Sequence, residues 1–192
     1  MECPACRAAV PDGARFCSHC GHAITLVADE RRVVTVLFAD LVGFTTLSEG
    51  NDPEQVKNVV DRCFQRLVSV VESYGGKVDK IIGDAVVALF GAPVAHEDDA
   101  ERAVRAALRM QEILCDAATD FGAALDLRVG VNTGDVLVGA LRVGGDYTAM
   151  GDVVNTAQRL QSAAEPGQVL VGQTTYLATR RIVSYRSVGE IT

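Results

Sequence analysis

The stretch KVDKIIGDAVVALF, Lys77 to Phe90, constrains the fold more than any other part of this chain. Two short apolar runs are separated by Gly83-Asp84 alone, and so tight a link joins only neighbouring antiparallel strands. The hairpin lies between two longer patterns of helical period. Pro53 to Tyr74 places Val56, Val59, Val60, Phe64, Leu67 and Val71 on one stripe, and Asp98 to about Cys115 does the same with Ala100, Val104, Ala107, Leu108 and Leu114. Ahead of the first helix, VVTVLFAD reads as a buried strand from Arg32 onward. Behind the second, DLRVGVNTGDVLVGAL reads as another pair of strands turning near Thr133-Gly134, and GDYTAMGDVVNTAQRL ends a strand and starts a helix.

The order β-α-β-β-α-β, with extra elements behind, predicts an α/β sandwich of the split ferredoxin-like kind, with a mostly antiparallel sheet. Composition supports a packed domain. In 192 residues, 48% hydrophobic content is ample for one core plus a small appendage. The charge of -7, from 18 basic and 25 acidic side chains with no long basic block, offers no electrostatic footprint for nucleic acid. No apolar run approaches bilayer length, and the start MECPACRAAV lacks the layout of a secretory signal. The expectation is a cytoplasmic chain with neither nucleic acid nor membrane as partner.

Residues 1–24 read as a separate unit. Cys3 and Cys6, ten intervening residues, then Cys17 and Cys20 would bring four thiolates around one tetrahedral Zn²⁺, with Pro4 and Gly21 at the knuckles. A disulfide pair or a redox motif is the alternative. The segment resembles the zinc-ribbon family, and so small a piece would fold only as it binds metal. His19 and His22 are not needed as ligands. Cys63 and Cys115 sit singly inside helical patterns and read as ordinary core.

Asp40 raises a different question, because a carboxylate at the mouth of a buried strand is costly to desolvate unless something pairs with it. A cap for the following helix is one answer. The other is a metal site: Asp84 tips the neighbouring hairpin, and two acids brought to one sheet edge make a hard-oxygen pair for Mg²⁺ or Mn²⁺. Directly after Asp40, Leu41 to Thr45 is expected to begin a helical turn whose free N–H groups hold outer phosphates, with Gly43 allowing close approach.

FADLVGFT, GGKVDKIIGDAVVALF and GDYTAMGDVVNTAQRL together resemble, in order and spacing, the three signature segments of class III nucleotidyl cyclase catalytic domains. The resemblance covers about Arg31 to the end of the chain, within a domain of residues 25–192. It implies attack of the ATP ribose 3′-hydroxyl on the α-phosphorus, giving 3′,5′-cyclic AMP and pyrophosphate. By the same resemblance Asp40 and Asp84 hold two Mg²⁺ or Mn²⁺ ions per site, and Lys80 and Thr148 read the base, beside Leu41, Gly43, Phe44 and Thr45 as the phosphate-binding candidates of the expected turn. Asn155 orients the ribose and Arg159 stabilises charge on the α-phosphate, their i, i+4 spacing placing both on one helix face. Lysine at position 80 is similar to adenine-reading members, and threonine at 148 to the bicarbonate-responsive soluble subgroup.

In this family one site draws on two subunits, and this chain carries both sets of residues, so a homodimer is implied. Members usually continue past a segment like RSVGEIT into a further strand with a phosphate-contacting basic residue, so the last strand is expected to be missing. Asp135 stands where some relatives have a phosphate-contacting arginine. Two rivals follow: a cyclase-like regulatory or nucleotide-binding module without chemistry, and a guanylyl cyclase. An unknown protein partner is expected for the zinc ribbon.

Overall fold

The computed structural model describes residues 2–3, 5–11, 14, 16–22, 30–43, 52–121, 125–140, 147–189 and 191. In chain order the elements are β1 (Glu30–Val42), α1 (Pro53–Ser73), β2 (Lys77–Ile82), β3 (Ala85–Phe90), α2 (Asp99–Phe121), β4 (Asp126–Ala140), β5 (Tyr147–Met150), α3 (Asp152–Ala163), β6 (Val169–Val171) and α4 (Gln173–Thr179). The strands form one sheet in the order β2-β3-β1-β4-β5, with β6 also on β4. All pairings are antiparallel except β4 with β6. This is the expected βαββαβ arrangement, with β5, α3, β6 and α4 added behind it.

Local chemistry explains the first helix. Asp52 accepts a hydrogen bond from the Glu54 N–H at 2.8 Å, and Pro53 opens the first turn, where its missing donor costs nothing. Strand alternation then sorts β1 between two cores. Leu37, Ala39 and Leu41 pack with Cys63, Leu67 and Val71 of α1 and with Val104, Ala107 and Met110 of α2, whereas Val34, Val36 and Phe38 pack with Val87, Val136 and Ala157. Thus α1 and α2 cover one face and α3 the other. The tip of the β2–β3 hairpin is Gly83-Asp84, with Gly83 in the left-handed region at φ 62°. Cys63 is buried, as expected; the side chain of Cys115 lies outside the described residues.

Three expectations are corrected. The pair of strands turning at Thr133-Gly134 is one continuous strand of 15 residues, because the 13-residue β1 pairs with it from Val42↔Asp126 to Glu30↔Val138 and uses the backbone groups a turn would need. Thr133 shares its hydroxyl with Thr35 at 2.9 Å and Thr175 at 2.8 Å inside the protein, and a Cβ at Gly134 would press on Val153 of α3 at 2.8 Å. Leu41 belongs to β1 rather than to a helical turn: it is 2% exposed and its N–H donates to the Asp84 carbonyl at 3.1 Å, so it has no donor to offer a phosphate. Leu108 is 43% exposed, because the face of α2 that meets the sheet is centred on Ala103, Ala107, Met110 and Leu114, with Leu108 on its shoulder.

Candidate functional site

The ladder places Asp40 at a defined point. It stands opposite Ala85 of β3 on one side and opposite Arg128 of β4 on the other, and alternation points it to the face covered by α3. The hydrogen bond from Leu41 N–H to the Asp84 carbonyl stitches the hairpin tip to the end of β1, which brings the two carboxyl groups within hydrogen-bonding reach of each other. Arg128 approaches from β4, with Nη2 3.3 Å from Asp40 Oδ2, and the buried Gln161 of α3 lies close enough to favour the charged Asp40 carboxylate. Burial raises the Asp40 carboxyl above its ordinary value, the Asp84 charge pushes it the same way, and Arg128 opposes both. A carboxylate held beside a second acid and only partly compensated by one guanidinium is a demand for positive charge. Two adjacent oxygen-donor groups fit a hard divalent cation.

Gly43 follows with φ 94°, a backbone conformation that glycine adopts without strain. Phe44 and Thr45 lie outside the described residues, as does the side chain of Thr148. At strand level, however, β5, which carries Thr148, comes within 8 Å of β2, which carries Lys80, although the two stand at opposite ends of the strand order. Lys80 is partly exposed, and its Nζ lies 2.9 Å from Asp79 Oδ2. Asn155 and Arg159 are exposed on α3, whose opposite face buries Ala157, Leu160 and Gln161. Neither side chain has a hydrogen-bond or ion-pair partner among the described residues. The structure therefore joins Asp40 to Asp84 and the Lys80 strand to the Thr148 strand, but leaves Asn155 and Arg159 facing outward.

Sequence reasoning missed Arg128, Gln161 and Asp79. Arg128 had a signal, a lone cation between Leu127 and Val129 of a buried strand; Gln161 had none, because only packing brings α3 over β1.

In the N-terminal unit Cys3, Cys6, Cys17 and Cys20 have their Sγ atoms within 4.8 Å of one another. The Cys3–Cys20 and Cys6–Cys17 separations are 3.7 and 3.6 Å. A disulfide needs sulfurs about 2 Å apart, whereas four ligands about 2.3 Å from one tetrahedral centre stand about 3.8 Å from each other. The donor set therefore fits zinc. The N–H groups of Cys20 and His19 bring the Cys17 thiol down to about 6. Among the described residues no other group of three or more potential ligands comes so close together, and neither histidine joins this one.

No helix among the described residues is long and apolar enough to cross a membrane. Comparison with known proteins gives two family matches, a zinc-ribbon domain over residues 3–24 and the adenylate and guanylate cyclase catalytic domain over residues 26–192. Adenylate cyclase 1 of Rhizobium meliloti (strain 1021) is 35% identical over 168 residues, covering 83% of this chain and 25% of that protein. Guanylate cyclase soluble subunit beta-2 of Rattus norvegicus is 35% identical over 163 residues, covering 81% of this chain and 23% of that protein. The chain thus spans about a quarter of the length of these curated relatives. The crystal structure of the adenylyl cyclase CyaB from P. aeruginosa superposes with a TM-score of 0.83 at 31% identity, covering 86% of this chain and 89% of that one. A zinc ribbon followed by paired acids at the end of β1 and the hairpin tip, on this sheet and at this level of identity, places the chain in the adenylate and guanylate cyclase catalytic domain family.

Proposed function

We propose that this chain is an adenylyl cyclase, with a zinc ribbon over residues 1–24 and the catalytic domain over residues 25–192. The observation that carries the reading is the juxtaposition of Asp40 and Asp84 on the α3 face of the sheet, partly compensated by Arg128. Magnesium or manganese bound there supplies Lewis acidity, lowering the pKa of the ribose 3′-hydroxyl and neutralising triphosphate charge. The 3′-oxygen bonds to the α-phosphorus, the bond from the α-phosphorus to the oxygen bridging to the β-phosphate breaks, and pyrophosphate leaves as the hydroxyl proton passes to solvent. Lys80 and Thr148 hold the base, Asn155 orients the ribose and Arg159 meets the charge that develops on the α-phosphate. Their outward position on α3 supports a site shared between two copies, in which Asn155 and Arg159 of one protomer complete the acid pair of its partner.

The purified chain incubated with Mn²⁺ and ATP is expected to release cyclic AMP and pyrophosphate in equal amounts, with kcat/KM for GTP at least about tenfold lower. A folded dimer that forms no cyclic nucleotide would establish the non-catalytic module instead. Efficient turnover of GTP would favour the second reading, a guanylyl cyclase, which is supported by the 35% identity to a guanylate cyclase subunit.

The ribbon is proposed to hold one structural Zn²⁺ per chain. Elemental analysis should find about one zinc per chain in the wild type and none in Cys17→Ala, because three ligands of a closed tetrahedral site hold the metal far less tightly than four. The cyclase domain has its own core, so its melting transition should be unchanged in the variant. Full zinc retention in Cys17→Ala would remove the four-cysteine site.

A further inference from the structure

Asp79 is an acid that the proposed chemistry does not use, and its placement is unusual. It sits on the edge strand β2, yet its side chain is 2% exposed, while that of Lys80 beside it is 41% exposed. Consecutive strand residues ordinarily point to opposite faces of a sheet. Here the register shifts between Val78 and Lys80: Val78 pairs with Ala88, Lys80 pairs with Val87, and Asp79 is the extra residue of a β-bulge.

The bulge decides where Lys80 points. Ala88 belongs to the core under α1 and α2, and Val87 to the core under α3. Directly paired residues share a face, so Val78 faces α1 and α2 whereas Lys80 faces α3. In an uninterrupted strand Val78 and Lys80, two residues apart, would share the α1 and α2 face, and the ammonium would be driven toward the apolar core. With one residue inserted, Lys80 comes to the face that holds Asp40. The inserted residue then binds what it has redirected, through the 2.9 Å contact from Lys80 Nζ to Asp79 Oδ2.

We infer that Asp79 is the positioning residue for Lys80: its bulge turns the lysine to the site face, and its carboxylate anchors the ammonium in the place where it meets a purine edge. This rests on the reading of Lys80 as the base-contacting residue. An ammonium has three donors and a flexible four-carbon stem, so a lysine unanchored at its head samples many positions. One donor committed to a buried carboxylate fixes the position of the head and narrows the directions its N–H bonds can take. The carboxylate reaches the substrate only through Lys80. Its loss should therefore weaken nucleotide binding and base discrimination, and leave the chemical step nearly untouched.

The test uses the full chain, with initial rates for ATP and GTP measured for wild type, Asp79→Asn, Asp79→Ala, Lys80→Ala and the double variant Asp79→Asn/Lys80→Ala, alongside melting temperatures. Asp79→Asn keeps shape and volume and removes the charge. It should raise KM for ATP about tenfold with kcat within about threefold, and narrow the ATP:GTP ratio of kcat/KM by a similar factor. On the Lys80→Ala background the same substitution should change neither quantity, since the residue it acts through is gone. Asp79→Ala should follow Asp79→Asn in the nucleotide ratio, whatever it does to the melting temperature.

A structural carboxylate would behave differently. If Asp79→Asn lowers the melting temperature and scales kcat/KM for both nucleotides equally, or if its effect persists undiminished without Lys80, Asp79 merely holds the edge strand and the inference fails. If Lys80→Ala itself leaves the ATP:GTP ratio and the KM for ATP unchanged, the base-reading role of Lys80 fails, and the positioning role of Asp79 fails with it. A changed ratio in Lys80→Ala with an unchanged one in Asp79→Asn rejects the positioning role alone.

Discussion

Mixed in equal amounts, Asp40→Ala and Arg159→Ala chains, each inactive alone, should recover about a quarter of the wild-type rate of cyclic nucleotide formation. The figure follows from symmetry. Random pairing makes half of the dimers mixed, and each mixed dimer contains one site that has lost both groups and one that retains both. Asp40→Ala removes half of the acid pair beside Arg128, and Arg159→Ala removes the cation proposed to meet the charge that develops on the α-phosphate. Either loss is expected to cost at least about 100-fold, the scale seen when one preorganised electrostatic group is deleted. The recovered rate therefore stands well above either parent. The measurement is cyclic AMP formed per minute at fixed total protein, over a range of mixing ratios. Recovery should peak at equal amounts. A flat, inactive mixture with dimers demonstrably exchanged would mean that all groups of a site lie in one protomer.

Gly130→Ala should lower the melting temperature by roughly 6–12 °C and reduce cyclase activity about 100-fold. Gly130 lies in the middle of β4 opposite Phe38, and a Cβ built there would overlap the carbonyl oxygen of Ala157 and the backbone nitrogen of Gln161. Backbone atoms of a packed helix cannot swing aside as a side-chain tip can, so α3 must lift. Overpacking of this kind costs about 3 kcal/mol. The same lift displaces Gln161 from Asp40 and carries Asn155 and Arg159 with it, since all three stand on α3. Gly134→Ala provides the comparison, because its Cβ would meet only a methyl of Val153 at 2.8 Å. A clash with one side-chain methyl is milder than one with helix backbone, and about 1 kcal/mol is expected. Calorimetry on both variants tests the argument, which fails if Gly130→Ala melts with the wild type.

Much of this was written in local pattern. The hairpin at Gly83-Asp84, the stripes of α1 and α2, and the four close cysteines are features of short windows, in which periodicity, turn chemistry and ligand spacing act without reference to the rest of the chain. The failures have a common origin. Thr133-Gly134 looked like a turn because threonine and glycine break up an apolar run, but β1 supplies a ladder partner across both residues, and the glycine makes room for α3. Leu41 looked available to a phosphate because the sequence does not disclose that the hairpin carbonyl of Asp84 takes its N–H.

Taken alone, the amino-acid sequence determined the βαββαβ order, the Gly83-Asp84 hairpin and the two helix stripes, and offered the candidate metal, base and phosphate residues. Tertiary structure alone decided who meets whom. It set Arg128 and Gln161 against Asp40, brought the strand of Thr148 to the strand of Lys80, turned Lys80 to the α3 face by one inserted residue, and left Asn155 and Arg159 facing outward. The physical reason is that strand pairing and helix docking join residues far apart in the chain, and a one-residue change of register reverses the face on which every later side chain lands.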